Sequence, residues 1–318
     1  MKTKILDILK QTKTYVSGQE LADSLGVSRT AVWKAINALK KQGYNIISSG
    51  NRGYMLDPCV DVLNEREIKT DLPFYFSETL PSTNDTAKRM ALDGCEEFFF
   101  VACDRQTAGK GRLGRTWISP KNQNIYMSMV LYPDTEIAQV PQITLVVGLA
   151  LAKTLKDISK KDVWIKWPND VIINGKKVVG ILTEMQAEID RILFVVTGIG
   201  VNVNQTVFDD EIKDKATSLR LECERIFKRG EIITAMTENI KRYYKRFCDG
   251  GFAAMRDEYK ALCLNLGKNV RANFRGNEIT GLAADISQNG ELVVKTESGC
   301  VNISGGEASV RTEDNKYI

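Results

Sequence analysis

The sequence predicts an α+β multidomain chain. Residues 1–60 read as a winged helix-turn-helix, 65–265 as a mixed or antiparallel sheet with helices, and 267–318 as a small SH3-like β-barrel. Three observations carry this. The first sixty residues hold a net charge of +5 in a chain whose total is +4, and they pattern as short amphipathic helices followed by a hairpin. The middle mixes apolar strand-like runs with long helical ones, and Asn174-Gly175 is the strongest short hairpin signal available. From Gly267 the texture changes to short strands with turn signals at Arg275-Gly276-Asn277, Asn289-Gly290 and Gly305-Gly306.

Composition narrows the chemistry. The 318 residues suit two or three domains and include no histidine, which removes Ser-His-Asp and Cys-His catalysis and His-ligated metal sites. Any reaction must run on Lys, Arg, Asp, Glu or backbone dipoles. Seven cysteines stand singly with no C-x-x-C pair, as expected of a reducing cytoplasm. The longest apolar run, Ile143 to Ala152, has the length of a buried helix, and MKTKILDILK lacks the features of a signal peptide. The expectation is a cytoplasmic protein with no membrane partner.

In the N-terminal segment, Ile5, Leu6, Ile8 and Leu9 fit the apolar face of a first helix. Ser17-Gly18-Gln19-Glu20 is a capping box opening a second, which Gly26 ends. Ser28 caps a third, in which Val32, Ala35, Ile36 and Leu39 recur at helical spacing. Arg29, Thr30, Trp33, Lys34 and Asn37 fall on the opposite side, suited to base edges and phosphates in a major groove. YNIISSGNRGYML then reads as a hairpin with Arg52 at its tip, in reach of a neighbouring phosphate or the minor groove. The plainer reading of this basic face is a solvated protein-interaction surface. A linker begins at Asp57-Pro58 and runs to about Asn64.

In the central region, Pro73–Phe76 is a short strand. Ser82, Thr83, Asn84 and Asp85 stand where a helix N-terminus begins, able to bind a polar ligand head or simply to cap the helix. Glu97–Cys103 is an apolar strand leading through Gln106 into GKGRLGRTW (109–117). There three glycines alternate with Lys110, Arg112 and Arg115, and the stretch reads as an anion cradle or as a flexible basic loop. It is neither a P-loop nor a dinucleotide fingerprint, since no Lys-Ser/Thr pair follows and the spacing is filled with cations. Strands are expected at Ile125–Leu131, Val163–Trp167, Val171–Ile173, Lys176–Met185 and Arg191–Val203, with a long apolar helix over Gln139–Ile158. Lys166 and Lys177 are the cations that stand out: Lys166 lies between Trp164, Ile165 and Trp167, although strand alternation also allows it to face solvent, and Lys177 reads more commonly as an ordinary hairpin lysine. Glu211–Glu224 reads as a charged loop; apolar spacing then marks helices around Ile232–Phe247 and Phe252–Leu262.

In order along the chain, GKGRLGRTW, KWPND (166–170), GKKVVGIL (175–182), GIGVNVN (198–204), ATSL (216–219) and GGE (305–307) resemble the motif series of biotin–protein ligases. With the winged helix in front, the full length is similar to the bifunctional biotin ligase and biotin-operon repressor family. The resemblance implies a biotin/lipoate ligase-like central fold and a two-step reaction. Biotin and Mg-ATP give biotinyl-5′-adenylate and pyrophosphate, and biotin then passes to a lysine of a biotin carboxyl carrier protein. Carried over by motif, Arg112 and Lys177 hold the carboxylate and developing phosphate charge, supported by Lys110 and Gly111; Lys110 replaces the Arg of many relatives. Ser82, Thr83, Asn84 and Gln106 match biotin head-group positions, and the strand around Gly180 lines the tail. Arg115, Trp117, Lys166, Asn169, Asn202, Glu307 and Arg311 match the ATP and adenylate side. No metal ligand is assigned, because Mg²⁺ carried on ATP phosphates leaves little protein signature. The resemblance also implies operator DNA as a partner, contacted through Ser28, Arg29, Thr30, Trp33, Lys34, Asn37 and Arg52, and a ligand-promoted homodimer.

Three rival readings share parts of this pattern. A lipoate ligase shares the catalytic architecture without this loop, KWPND and winged helix together. A ligand-sensing transcription factor has no need of Lys177. A ligase can also retain the winged helix without repression.

Overall fold

The computed structural model describes residues 1–57, 59–95, 98–189, 191–274, 276–305 and 309–312. The chain divides into two compact units, 1–63 and 64–318.

In the first unit three helices precede a hairpin: α1 (Lys2–Thr12), α2 (Gly18–Leu25), α3 (Arg29–Lys41), β1 (Ile46–Ser49) and β2 (Gly53–Leu56). Ile5, Leu9, Leu21, Val32, Ile36 and Leu39 form its core, as the helical spacing predicts. The capping box is complete: Glu20 N–H donates to Ser17 Oγ at 3.1 Å, and Ser17 N–H to Glu20 Oε2 at 2.8 Å. Ser28 Oγ accepts from Ala31 N–H at 3.2 Å and starts α3. Beside the hairpin, Val16 exchanges backbone hydrogen bonds with Tyr54. Gly53 belongs there because a Cβ would come within 2.1 Å of Val16 O.

The second unit is built on a seven-stranded sheet in the order β3-β4-β5-β9-β8-β7-β6. Its elements are β3 (Phe74–Leu80), α4 (Thr83–Leu92), β4 (Phe99–Gln106), β5 (Ile125–Leu131), α5 (Val140–Ser159), β6 (Val163–Lys166), β7 (Asp170–Ile173), β8 (Lys176–Glu188) and β9 (Arg191–Val201). In this sheet β3 and β4 run parallel, joined across by α4, and the other neighbouring pairs are antiparallel. The helices α6 (Leu219–Cys223), α7 (Arg229–Gly250) and α8 (Arg256–Lys260) follow. The five strands β10 (Asn269–Phe274), β11 (Asn277–Ile286), β12 (Leu292–Thr296), β13 (Gly299–Ile303) and β14 (Ser309–Thr312) then form an antiparallel sheet in the order β13-β12-β11-β10-β14.

Some boundaries differ from expectation. The 211–224 segment is not loop throughout: Ser218 accepts from Leu221 N–H and starts α6. The helix expected over Phe252–Leu262 is a 3-10 turn followed by the short α8. The strand expected from Glu97 begins at Phe99, and Glu97 lies outside the described residues. With its leading turn, α5 spans Ile137–Ser159, long and apolar enough by length and composition to cross a membrane. It is instead a core helix, packed on α7 and on β6, β7 and β8.

The two faces of the sheet centre differ. β8 and β9 pair Gly180 with Gly200, Ile181 with Ile199 and Leu182 with Gly198. Ile181 reaches α5, where its Cδ1 lies 3.6 Å from a Cβ placed on Gly148. One residue along, by strand alternation, the opposite face presents bare glycine backbone. That glycine floor is where the cleft opens.

Candidate active site

A cleft of about 810 Å³ lies over this floor. It gathers every expected ligand-site residue of the central and C-terminal regions except Glu307, which lies outside the described residues.

One end is neutral. Ser82 is the N-cap of α4, and Thr83 and Asn84 form its first turn, so capping and ligand-facing roles coexist at one helix end. Thr83 N–H donates to Gln106 Oε1 at 2.8 Å, and Gln106 Nε2 donates to Ser119 Oγ at 3.0 Å. Ser128, on β5, lies 2.7 Å from Thr83 Oγ1 and 2.6 Å from Asn84 Oδ1. Asn84 Nδ2 donates to Glu184 Oε2 at 2.6 Å, and Lys88 Nζ donates to Glu184 Oε1 at 2.6 Å. Gly198 admits the Asn84 side chain, since a Cβ there would stand 2.2 Å from Asn84 Oδ1.

The other end is cationic. Lys177 Nζ pairs with Asp170 Oδ1 at 2.6 Å and sits 5.2 Å from the Trp117 ring centre. Strict alternation would put Lys177 on the face opposite Gly180. A β-bulge intervenes: Val171 pairs with Val179 but Ile172 with Lys177, leaving Val178 as the extra residue. The bulge turns Lys177 onto the Gly180 side, where its Cε would meet a Gly180 Cβ at 2.9 Å. Backbone bonds of Lys177 to Lys215 O and from Thr217 N–H hold the bulge, which gives ATSL its place beside β8. Asn202 sits next to it, its Nδ2 donating to Thr217 O at 3.0 Å.

Lys166 is only 7 % exposed, so the solvent-facing reading fails. Burial pushes its ammonium down to about 8, opposed by nearby Asp170 and reinforced by Lys177, Arg311 and Arg115. Arg112 is lowered from its ordinary value by burial, again opposed by Asp170. Its guanidinium donates to Asn169 Oδ1 at 2.8 Å and Gly305 O at 2.9 Å, joining the glycine loop to KWPND and to the segment before β14.

The glycine loop folds back on itself rather than fanning its amides outward. Gly111 N–H donates to Arg115 O at 2.7 Å and Trp117 N–H to Gly109 O at 2.9 Å. Of its three glycines only Gly114 has positive φ, and Leu113 shares the left-handed region at φ 58°. Lys110 turns away from the other cations and donates to Asp85 Oδ1 at 2.7 Å, in the first turn of α4; that partner raises its affinity for the proton. Trp117 lies flat on the floor, where a Cβ on Gly180 or Gly200 would strike the indole at 2.6 or 2.4 Å.

Sequence reasoning missed Asp170, Ser128 and Glu184. Asp170 closes KWPND and was legible there as the carboxylate among cations. Ser128 sits in an apolar strand with no motif around it and Glu184 just past the end of GKKVVGIL, and only sheet register brings them to α4. Also missed was the buried pair Arg229–Asp104 at 2.5 Å, which ties α7 to β4 behind the site; Arg229 is 0 % exposed.

On the first unit, Arg29, Thr30 and Lys34 are exposed on α3 with Trp33, which is 56 % exposed; Asn37 is half-buried. Arg52 lies at the hairpin tip with its guanidinium 4.2 Å from the Tyr15 ring centre.

Family profiles match three stretches: a helix-turn-helix domain over 2–55, the biotin/lipoate A/B protein ligase family over 76–202, and a biotin protein ligase C-terminal domain over 266–311. Together they define a ligase class fronted by a DNA-binding type of module. The bifunctional ligase/repressor BirA of Bacillus subtilis is 36 % identical over 95 % of this chain and 96 % of its own length. Its Escherichia coli counterpart is 27 % identical over 94 % of each chain. The chain belongs to the family of bifunctional biotin ligase/repressors. Among solved structures, the biotin protein ligase of Aquifex aeolicus in complex with biotin and ATP is 31 % identical, with a TM-score of 0.68, over 77 % of this chain and all of that one.

Proposed function

We propose that this protein is an ATP-dependent biotin–protein ligase that also represses transcription, and that the cleft holds both substrates of its first step. The observation that carries this is the division of one cleft into a neutral hydrogen-bonding end and an end with Lys166, Lys177 and Arg112 around one carboxylate.

The polar bicyclic head of biotin fits among Ser82, Thr83, Asn84 and Gln106. Its tail runs along the strand around Gly180, where the missing side chain lets the Trp117 indole and the Lys177 stem pack close to the backbone and wall the passage. The biotin carboxylate then attacks the α-phosphorus of ATP and displaces pyrophosphate. Arg112 and Lys177 offset the charge that gathers on the reacting oxygens, while Lys110, paired with Asp85, acts at a remove by tying the glycine loop at Gly111 to α4. Arg115, Trp117, Lys166, Asn169, Asn202 and Arg311 serve the nucleotide side. In the second step the ε-amine of a carrier-protein lysine attacks the acyl carbonyl, an amide forms and AMP leaves. With the glycine loop lying across it, the cleft shields the mixed anhydride from water.

Among the described residues no cluster of three potential metal ligands exists. Mg²⁺ bound chiefly by ATP phosphates fits the cleft, which offers it the Asp170 carboxylate; the ion would supply charge neutralisation on the departing pyrophosphate. For repression, α3 enters the major groove through Arg29, Thr30, Trp33, Lys34 and Asn37, with Ser28 and Arg52 on the backbone. Biotinyl-adenylate promotes a homodimer that binds an inverted-repeat operator. The protein works in the cytoplasm.

The test is a gel shift on DNA upstream of the host's biotin genes, without ligand, with biotin, and with biotin plus Mg-ATP, beside carrier-protein biotinylation. Biotin plus Mg-ATP is expected to strengthen the shift, and Lys177→Ala to abolish the gain until preformed adenylate is added. Biotinylation without any shift would refute repression at that DNA.

A further inference from the structure

The neutral end carries a feature that the ligase reading does not assign: the order of its protons. Ser128 Oγ lies 2.6 Å from Asn84 Oδ1 and 2.7 Å from Thr83 Oγ1, yet a hydroxyl has a single hydrogen. Which contact receives it depends on which way the Asn84 amide faces.

Glu184 decides that. Its carboxylate and the Leu182 carbonyl, 2.6 and 3.4 Å from Asn84 Nδ2, both only accept. Turning the amide over would put Oδ1 against a charged oxygen and a carbonyl, so Nδ2 must face them and Oδ1 must face Ser128. Lys88 holds the carboxylate in place from the far side at 2.6 Å. With Oδ1 able only to accept, the Ser128 hydrogen goes to Asn84. The 2.7 Å contact between Ser128 and Thr83 then takes its hydrogen from Thr83. Gln106 Oε1, at a longer 3.1 Å from Thr83 Oγ1, is already supplied by the Thr83 backbone N–H at 2.8 Å. The Thr83 hydroxyl thus meets the cleft with lone pairs only.

We infer that Glu184 is a positioning and specificity residue: through Asn84 and Ser128 it makes Thr83 Oγ1 an obligate acceptor, so the pocket selects a ligand that places an N–H there. This rests on the proposed biotin-binding reading, since the cyclic urea of biotin offers two N–H groups and a lipoyl dithiolane offers none. A buried acceptor left without a donor is costly, which makes such a pocket discriminate strongly.

The experiment uses the full chain with biotin and with two analogues in which one or the other urea N–H is replaced by a ring oxygen. Calorimetric affinities are measured for the native protein, Glu184→Gln and Ser128→Ala, with KM values for biotin and ATP from pyrophosphate release. Glu184→Gln keeps the shape but permits the Asn84 amide to turn; Ser128→Ala removes the relay one step on and guards against a misfolded first variant. The native chain is expected to prefer biotin over one of the two analogues by at least about tenfold. Each substitution should compress that preference by roughly three-fold or more and raise KM for biotin, leaving KM for ATP in place. Combined, the two should compress it no further than either alone. A uniform loss of affinity for all three ligands, or an unchanged preference in both variants, would overturn the relay while leaving the ligase reading intact. Absence of biotin binding by the native chain would overturn both.

Discussion

The two ends of the cleft hold their polar groups in opposite ways. At the α4 end every group has a neutral or outward partner: Thr83 with Gln106 and Ser128, and Asn84 with Glu184, itself neutralised by Lys88. At the β6–β8 end Lys166, Lys177 and Arg112 crowd around Asp170. The first arrangement is oriented before a ligand arrives, with the Thr83 hydroxyl oxygen left to accept from it, and suits selection by shape and hydrogen-bond polarity. The second stores positive charge in a buried place, held by one counter-ion, and suits an anion that repays the cost of desolvation.

The largest effect that tests this contrast is expected at Lys177. Lys177→Met should lower adenylate formation by about 10²–10³-fold, the usual loss for one donor to a developing oxyanion. It also takes a partner from buried Asp170, so the melting temperature should fall; pyrophosphate release and calorimetry measure the two. If activity survived, the charge at this end would lie with Arg112 and Lys166.

Next comes the floor shared by both ends. Gly200→Ala places a methyl 2.4 Å from the Trp117 indole, which must move. The expected cost is about 1–3 kcal/mol of stability, with KM for ATP raised about tenfold, read by denaturation and steady-state kinetics. A silent substitution would mean that Trp117 is not held on the floor.

Lys166 sharpens the electrostatic half of the comparison. Its folded value near 8 lies below the ordinary lysine value of 10.5, so the unfolded chain binds the proton more tightly. The penalty for holding the charge is complete below pH 8 and is relieved as pH rises from 8 toward 10.5. Native stability should therefore gain over that window, and ATP affinity should fall over it as the cation is lost. Lys166→Arg, which stays charged, should flatten the affinity profile; Lys166→Met should raise the melting temperature at neutral pH and weaken ATP binding.

The smallest effect belongs to Lys110, whose pair with Asp85 is about half exposed on both sides. Such pairs contribute roughly 1 kcal/mol or less. Lys110→Ala should shorten the residence time of biotinyl-adenylate by no more than a few-fold, measured by chase with unlabelled ligand, and increased salt should erase the difference.

Much of this molecule was legible in the chain itself. Caps at Ser17, Ser28 and Ser82, helical spacing in α3, the hairpin at Asn174-Gly175 and the absence of histidine are local facts, fixed by backbone hydrogen-bonding and side-chain type within a few residues. The ordered motifs also named the residues that meet in the cleft, because each sits in a loop or strand end whose composition is unusual. The long-range pairings were not local. Alternation alone could not aim Lys177, because the bulge at Val178 depends on β7 and on the 215–217 segment beside it. Lys166 stood out between Trp164 and Trp167, but strand alternation left its burial open until Asp170, Lys177 and Arg311 at the end of β14 closed around it. Ser128 and Glu184 gained meaning only when strand register set them against the first turn of α4. Local sequence thus dictates which elements form and which chemical groups are available. Which face each group occupies, and whether its charge is buried, is settled by packing, because register and desolvation are properties of contacts between segments far apart in the chain.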